Sequence, residues 1–442
     1  MPPGEPLLLL CHAFPPVPGI GGRRWAKFAR ELARRGHPVH VVRATPDPQV
    51  PPSLWSADAE QAGITAYPLP VRYPQVLRRI PVTGLVDKLR YHAWMKLLPR
   101  LTPGNWFDPA CLSRNDVLAV AEKLLREQDI RLLVATGAPF SLLGYAAELK
   151  ERRPELRFIA DLRDAWTWAP HYGGASLGPE RLRRERALEA RVMRVADKVI
   201  TPHPHVVEHL RATYPEHPDR FVCIPNAIDP EELGEPATSA NDGRFRLVYA
   251  GSLYGAQEAE VYFGEVIKAF QRLRETHPEK FALAQFDLWI TGHDTRPYQE
   301  RVLRAGLQER IRFHAPQPAR EIFRQITSAD LVLIFIPAVN KDILGTKFAE
   351  VFHARRPILH VGAPGLVGDT ITDRRLGASL RVEEVASELP RIMAGERRIG
   401  VDPGADHGEW LLPGITDRLI SEVLQRPRTA AAHPIAAAPP AS

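Results

Sequence analysis

The chain has 442 residues, of which 44% are hydrophobic and 25% charged, with a formal net charge of +6. That length exceeds one ordinary core, so two globular domains are expected, and the positive balance suits an anionic ligand or acidic membrane surface without a dense Lys/Arg block that would call for nucleic acid. Cys11, Cys111 and Cys223 are far apart and form no C-x-x-C pair, which argues against a disulfide framework or zinc site and for a reducing cytosol.

From the N-terminus, MPPGEPLLLLCHAF carries Glu5 where a signal peptide carries positive charge, and its apolar run is short; export by this route is not expected. Pro6 to Cys11 reads as a buried strand. The loop HAFPPVPGIGGRR (12–24) follows and opens a helix in which Trp25, Phe28, Ala29 and Leu32 recur at i, i+3, i+4 and i+7. Gly36 stops that helix and Val39 to Val42 is the next strand, completing a β-α-β unit. In an open α/β sheet such a loop lies at the carboxyl end of its strand, where ligands bind. Gly21 and Gly22 would let backbone N–H groups approach an anion. The loop is neither a P-loop nor G-x-G-x-x-G, since Arg24 stands at the third glycine position; a plain turn explains it equally well.

Residues 73–103 break the alternation. Arg72, Arg78, Arg79, Lys88, Arg90, Lys96 and Arg100 face only Asp87, with Leu85, Leu89, Trp94, Leu97 and Leu98 between them. Two readings stand: a helix lying on an anionic membrane surface, or one packed on the domain with its cations in water. Leu132 to Ala135, Phe158 to Ala160, Lys198 to Thr201 and Phe221 to Ile224 are further strands. Asp161 and Asp164 flank Arg163 after the second of these. Read locally, they would pair with Arg163 and hold the loop.

PEELGEPATSAND (230–242) reads as a linker, after which the pattern restarts. Arg246 to Ala250, Asp287 to Thr291, Leu331 to Ile336 and Pro357 to Val361 are strands, and 258–274 and 319–326 are helical. The run LVLIFIPAV (331–339) is far below the ~18 apolar residues of a bilayer span. In NKDILGTKFAEVF (340–352), Thr346 and Lys347 would sit in a first helical turn, where free N–H groups and the helix dipole favour phosphate. Glu350 one turn on would accept from two ribose hydroxyls, or would simply complement the dipole. The closing 18 residues are of low complexity.

These segments together resemble retaining glycosyltransferases of family four, which have the two-domain GT-B fold. The likeness is carried by residues 12–42, by IPNAIDPEEL (224–233), LVYAGSLYG (247–255) and GTKFAEVFHARRPILHVG (345–362), and by ADLRDAWTW (160–168), which is similar to members that build bacterial surface polysaccharides. It implies two Rossmann-like parallel-sheet domains facing across a cleft: 1–229 on the acceptor side, a linker 230–243, a nucleotide-sugar domain 244–405, a helix 406–424 returning to the first domain, and a disordered tail 425–442. It implies transfer of a sugar from a nucleoside diphosphate to a glycan or lipid-linked acceptor, with retention. Gly21, Gly22, Gly251, Ser252, Gly345, Thr346 and Lys347 would surround the diphosphate, Glu350 would hold the ribose, and Asp342 would stand where the family's sugar-contacting acid stands. Asp161, Asp164 and Lys347 would carry catalysis, either acid orienting the acceptor hydroxyl unless it pairs with Arg163. Without an Asp-x-Asp pair no metal or other cofactor is expected. The protein would act in the cytoplasm, on its own or at the inner membrane face. A sugar-nucleotide epimerase and a non-catalytic partner subunit remain as alternatives on the same fold.

Overall fold

Uninterrupted apolar runs such as Leu7–Leu10 and Leu331–Ile336 are buried along nearly their whole length, as strands covered on both faces must be. In the computed structural model these runs are the centres of two parallel sheets. The structure describes residues 4–78, 82–168, 177–234, 242–253, 256–292, 294–402, 404–405 and 410–425. Arg79, the middle of the acidic linker and the tail beyond residue 425 lie outside them.

The chain divides into two compact units, one of residues 1–201, 210–222 and 416 onward, the other of 202–209 and 223–415. The first unit holds β1 (Leu7–Leu10), β2 (Val39–Ala44), β3 (Ile64–Leu69), β4 (Leu132–Gly137), β5 (Arg157–Leu162), β6 (Lys198–Thr201) and β7 (Phe221–Cys223). Their order is β3-β2-β1-β4-β5-β6-β7. β1 pairs in parallel with both β2 and β4, so the chain reverses its direction of travel across the sheet there, and the loops after β1 and β4 border the crevice that this reversal opens. The last described turn belongs to this unit: Arg157 donates to the carbonyls of Val423 and Leu424.

The second unit holds β8 (Phe245–Gly251), β9 (Ala284–Ile290), β10 (Ile311–His314), β11 (Leu331–Ile336), β12 (Ile358–Gly362) and β13 (Gly377–Leu380), in the order β10-β9-β8-β11-β12-β13. Successive residues of β11 serve opposite faces, Leu331, Leu333 and Phe335 packing with Phe263, Phe270 and Leu359, and Val332 and Ile334 with Trp289, Phe323 and Phe352. The longer, continuous part of this unit starts at Cys223, the last residue of β7. The reason is local. Ile228 bridges Leu411 and exchanges backbone bonds with Trp410 and Leu412, and Asp229 caps a short helix at Pro230–Leu233.

His360, in β12, is fully buried, with Nδ1 2.8 Å from Ser379 Oγ. Burial pushes its pKa down from 6.5 to about 4. The unfolded chain therefore binds a proton that the folded chain refuses, so stability is full above pH 6.5 and falls as the pH drops towards 4. Urea unfolding followed at pH 7 and pH 5 should show the second unit weaker at the lower pH, by roughly 1–2 kcal/mol, and a His360→Gln variant should flatten that slope.

Candidate active site

In the first unit, the loop after β1 runs into a short turn at Ile20–Gly22 and then helix Arg23–Arg34. Gly19 has φ 111°, which requires glycine. Gly21 and Gly22 each meet a packing demand of their own. A Cβ on Gly22 would lie 2.0 Å from the Ala13 carbonyl oxygen, and one on Gly21 would lie 2.5 Å from an Arg163 nitrogen. Gly22 is explained by packing within its own loop and Gly21 by the approach of Arg163.

Arg163 corrects an expectation. Its guanidinium is not paired with the neighbouring aspartates in the manner foreseen; it donates to the carbonyls of Gly21, Gly137 and Ala138. One side chain thus joins the loops after β1, β4 and β5. His12, in the first of these loops, is held neutral, its pKa pushed down to about 4 by burial and by the charges of Arg78 and Arg163.

Asp161 is also corrected. It has no exposed surface, accepts from Trp25 Nε1 at 2.6 Å and Thr136 Oγ1 at 2.9 Å, and lies 3.3 Å from Arg24 Nε. An acceptor hydroxyl has no route to it, so its role is to fix helix Arg23–Arg34 against β4 and β5. Asp164 is partly exposed on a loop held from behind. Trp166 stacks on Phe140 at 4.8 Å and donates to Glu185, and the Thr167 N–H donates to Glu189. Glu185 and Glu189 are buried and one turn apart on helix Pro179–Val195. They were not foreseen from the sequence; two acids at i, i+4 on a helix rich in Arg read as surface charges.

In the second unit the same reversal occurs at β8, which lies between β9 and β11. The loops after β8 and β11 therefore border its crevice. Gly251, with φ 136°, ends β8; its carbonyl accepts from the Thr291 N–H, and Ser252 Oγ is 3.3 Å from Thr291 Oγ1. The loop after β11 leads to Gly345, which caps helix Thr346–His353. That loop is anchored where Glu258 accepts from the Ala338 N–H. Asp342 accepts from the Leu366 N–H at 2.9 Å, so one oxygen of this acid is engaged in starting helix Leu366–Asp373 rather than reaching for a sugar.

A largely apolar cavity of about 130 Å³ opens in this unit between Gly251, Thr291, Trp289, Phe323, Pro316 and Gln317, with Glu350 on its wall. His314 stacks on Trp289 at 4.5 Å and is held 2.6 Å from Asp287, which supports the aromatic wall. Gly251 and Glu350, named from the sequence, are thus brought to one cavity, while Ser252 stands beside it through Thr291. Trp289 and Phe323 were not anticipated, because in the sequence they look like any buried aromatic. Among the described residues no three His, Cys, Asp or Glu side chains are grouped to hold a metal.

A family profile described as a glycosyl transferase 4-like domain matches residues 21–227. The whole chain has the GT-B type of fold, two Rossmann-like parallel-sheet units. Sucrose-phosphate synthase from Thermosynechococcus elongatus is 12% identical, with 94% of each chain covered and a TM-score of 0.56. A putative UDP-N-acetylglucosamine 2-epimerase from Listeria monocytogenes is also 12% identical, covering 94% of this chain and 95% of the other at 0.56. WaaG, a glycosyltransferase involved in lipopolysaccharide biosynthesis, is 16% identical, covering 88% and 90% at 0.51. At such identities the likeness is one of fold. No curated protein matches by sequence.

Proposed function

We propose that this glycosyltransferase-like chain moves a sugar from a nucleoside diphosphate sugar to a glycan or lipid-linked acceptor in the cytoplasm. The observation that carries this reading is the second unit's apolar cavity with Glu350 on its wall, one turn beyond the start of helix Thr346–His353. A nucleobase fits between the aromatic and Pro316–Gln317 walls, and the Glu350 carboxylate accepts from the ribose hydroxyls. The diphosphate then lies along Gly251, Ser252 and the N–H groups of the first helical turn, where the dipole and Lys347 offset its charge. Gly345 and Thr346 open that turn.

In this proposal the bond from the sugar's anomeric carbon to the diphosphate oxygen breaks, and the bond to the acceptor oxygen forms on the same face. The acceptor's proton passes to the leaving phosphate, giving retention without a covalent protein intermediate. Asp164 orients the acceptor hydroxyl. Positioning and electrostatic stabilisation of the leaving group do the work, so the reaction is expected to run without a metal.

The test is a melting-point screen against uridine, guanosine and adenosine diphosphates and their sugars, followed by product analysis with glycan acceptors. One nucleoside diphosphate at a hundredfold excess over its Kd should raise the melting point by roughly 5 °C or more. Its sugar should then yield free nucleoside diphosphate in proportion to acceptor consumed. Conversion of the donor without acceptor would instead mark an epimerase, and binding without turnover a non-catalytic partner.

A further inference from the structure

Helix Leu85–Leu101 is both packed and exposed, on opposite sides. Its inner row, including Trp94, Met95 and Leu98, joins a satellite core with Tyr73, Trp106 and Leu177. Its end is tied down by Arg181, which donates to the carbonyls of Pro99, Thr102 and Gly104. The outer face is left with Leu85 76% exposed, Leu89 63% and Val86 60%, and with Leu97 on its flank. Lys88, Arg90, Lys96 and Arg100 are exposed among these aliphatics. The helix has one acid, Asp87, which lies 3.7 Å from Arg90 and, at 100° per residue, falls on the inner side with Trp94 and Leu98.

We propose that this outer face seats the protein on an anionic bilayer surface. Four exposed aliphatic side chains along roughly 18 Å of helix are too many for an idle solvent face, and the helix's one acid, Asp87, is offset by Arg90 beside it. Aliphatics alternating with long cations match a headgroup boundary, where the apolar tips enter and the Lys and Arg stems reach back to the phosphates. A protein groove would ask for a continuous apolar stripe instead. The contact is peripheral: no described helix is long and apolar enough to cross a membrane. The inference stands apart from the transfer chemistry, since it is read without donor or acceptor.

Sedimentation of the full chain with vesicles tests it. The protein should co-sediment with vesicles of equal parts phosphatidylglycerol and phosphatidylcholine, and not with phosphatidylcholine alone. Joint replacement of Lys88, Arg90, Lys96 and Arg100 by glutamine should weaken binding at least tenfold, as should Leu85→Ser with Leu89→Ser, with melting points unchanged because these side chains are exposed. A control removes the same charge elsewhere, by glutamine at the exposed Lys123, Arg131, Lys268 and Arg304, and should bind as the parent does. Failure to bind the anionic vesicles, equal binding to both, undiminished binding by either helix variant, or an equal loss in the control would each overturn the proposal.

Discussion

Lys347→Ala is expected to lower kcat by about two to three orders of magnitude, the scale seen when one electrostatic contact to a developing anion is removed. Glu350→Ala should act differently. Its carboxylate, on the cavity wall, is assigned to ribose hydroxyls present in substrate and transition state alike, so the loss should fall mainly on the donor KM, by roughly tenfold to a hundredfold. Glu350→Gln, which keeps one carbonyl acceptor, should recover part of it. Steady-state kinetics with the donor identified by the melting screen separates the two. Both variants should melt with the parent, and wild-type rates in both would remove the assignment of this helix to the donor.

The second large effect concerns stability. Asp161→Ala strips a buried carboxylate from Trp25, Thr136 and Arg24. Arg24 is itself buried, its guanidinium 5.0 Å from the Phe28 ring centre. Leaving that cation without its carboxylate should cost about 3–5 kcal/mol and lower the first unit's melting point by roughly 10 °C. Asp164→Ala, on a partly exposed loop, should leave the melting point in place and reduce transfer. Calorimetry beside rate measurement reads both. An Asp161→Ala protein that melts normally yet transfers poorly would restore Asp161 to the acceptor site.

The central strands were legible because they are covered on both faces and so appear as unbroken apolar runs, as Leu7–Leu10 and Leu331–Ile336 do. Three strands were missed, Ile64–Leu69, Ile311–His314 and Gly377–Leu380, and all three are sheet edges. Edge strands bury less, tolerate Pro68 and polar residues such as Arg312, and carry no clean pattern. In the site, Glu350 could be named because its place one turn into a helix leaves a mark in sequence, whereas Gly251 was named only through the family resemblance. Asp161 was misread because its partners, Trp25 and Thr136, come from distant strands and helices, and no local spacing announces a long-range contact. Arg163 was misread for the same reason: its acceptors are backbone carbonyls, which have no letter in a sequence. The basic helix could be placed, but which of its faces turned inward depended on Tyr73, Trp106 and Leu177.

The bond from Arg157 to the last described turn has a consequence for how the protein is made. The first unit draws on residues at 416–425, so its set of contacts is incomplete while the ribosome is still translating the second. The middle of the polypeptide can gather its own strands before the beginning is finished, whereas N-terminal units ordinarily settle first. Cutting the gene within the acidic segment would accordingly yield an amino-terminal half that lacks its final turn, and the two units are separable in architecture without being separable in synthesis.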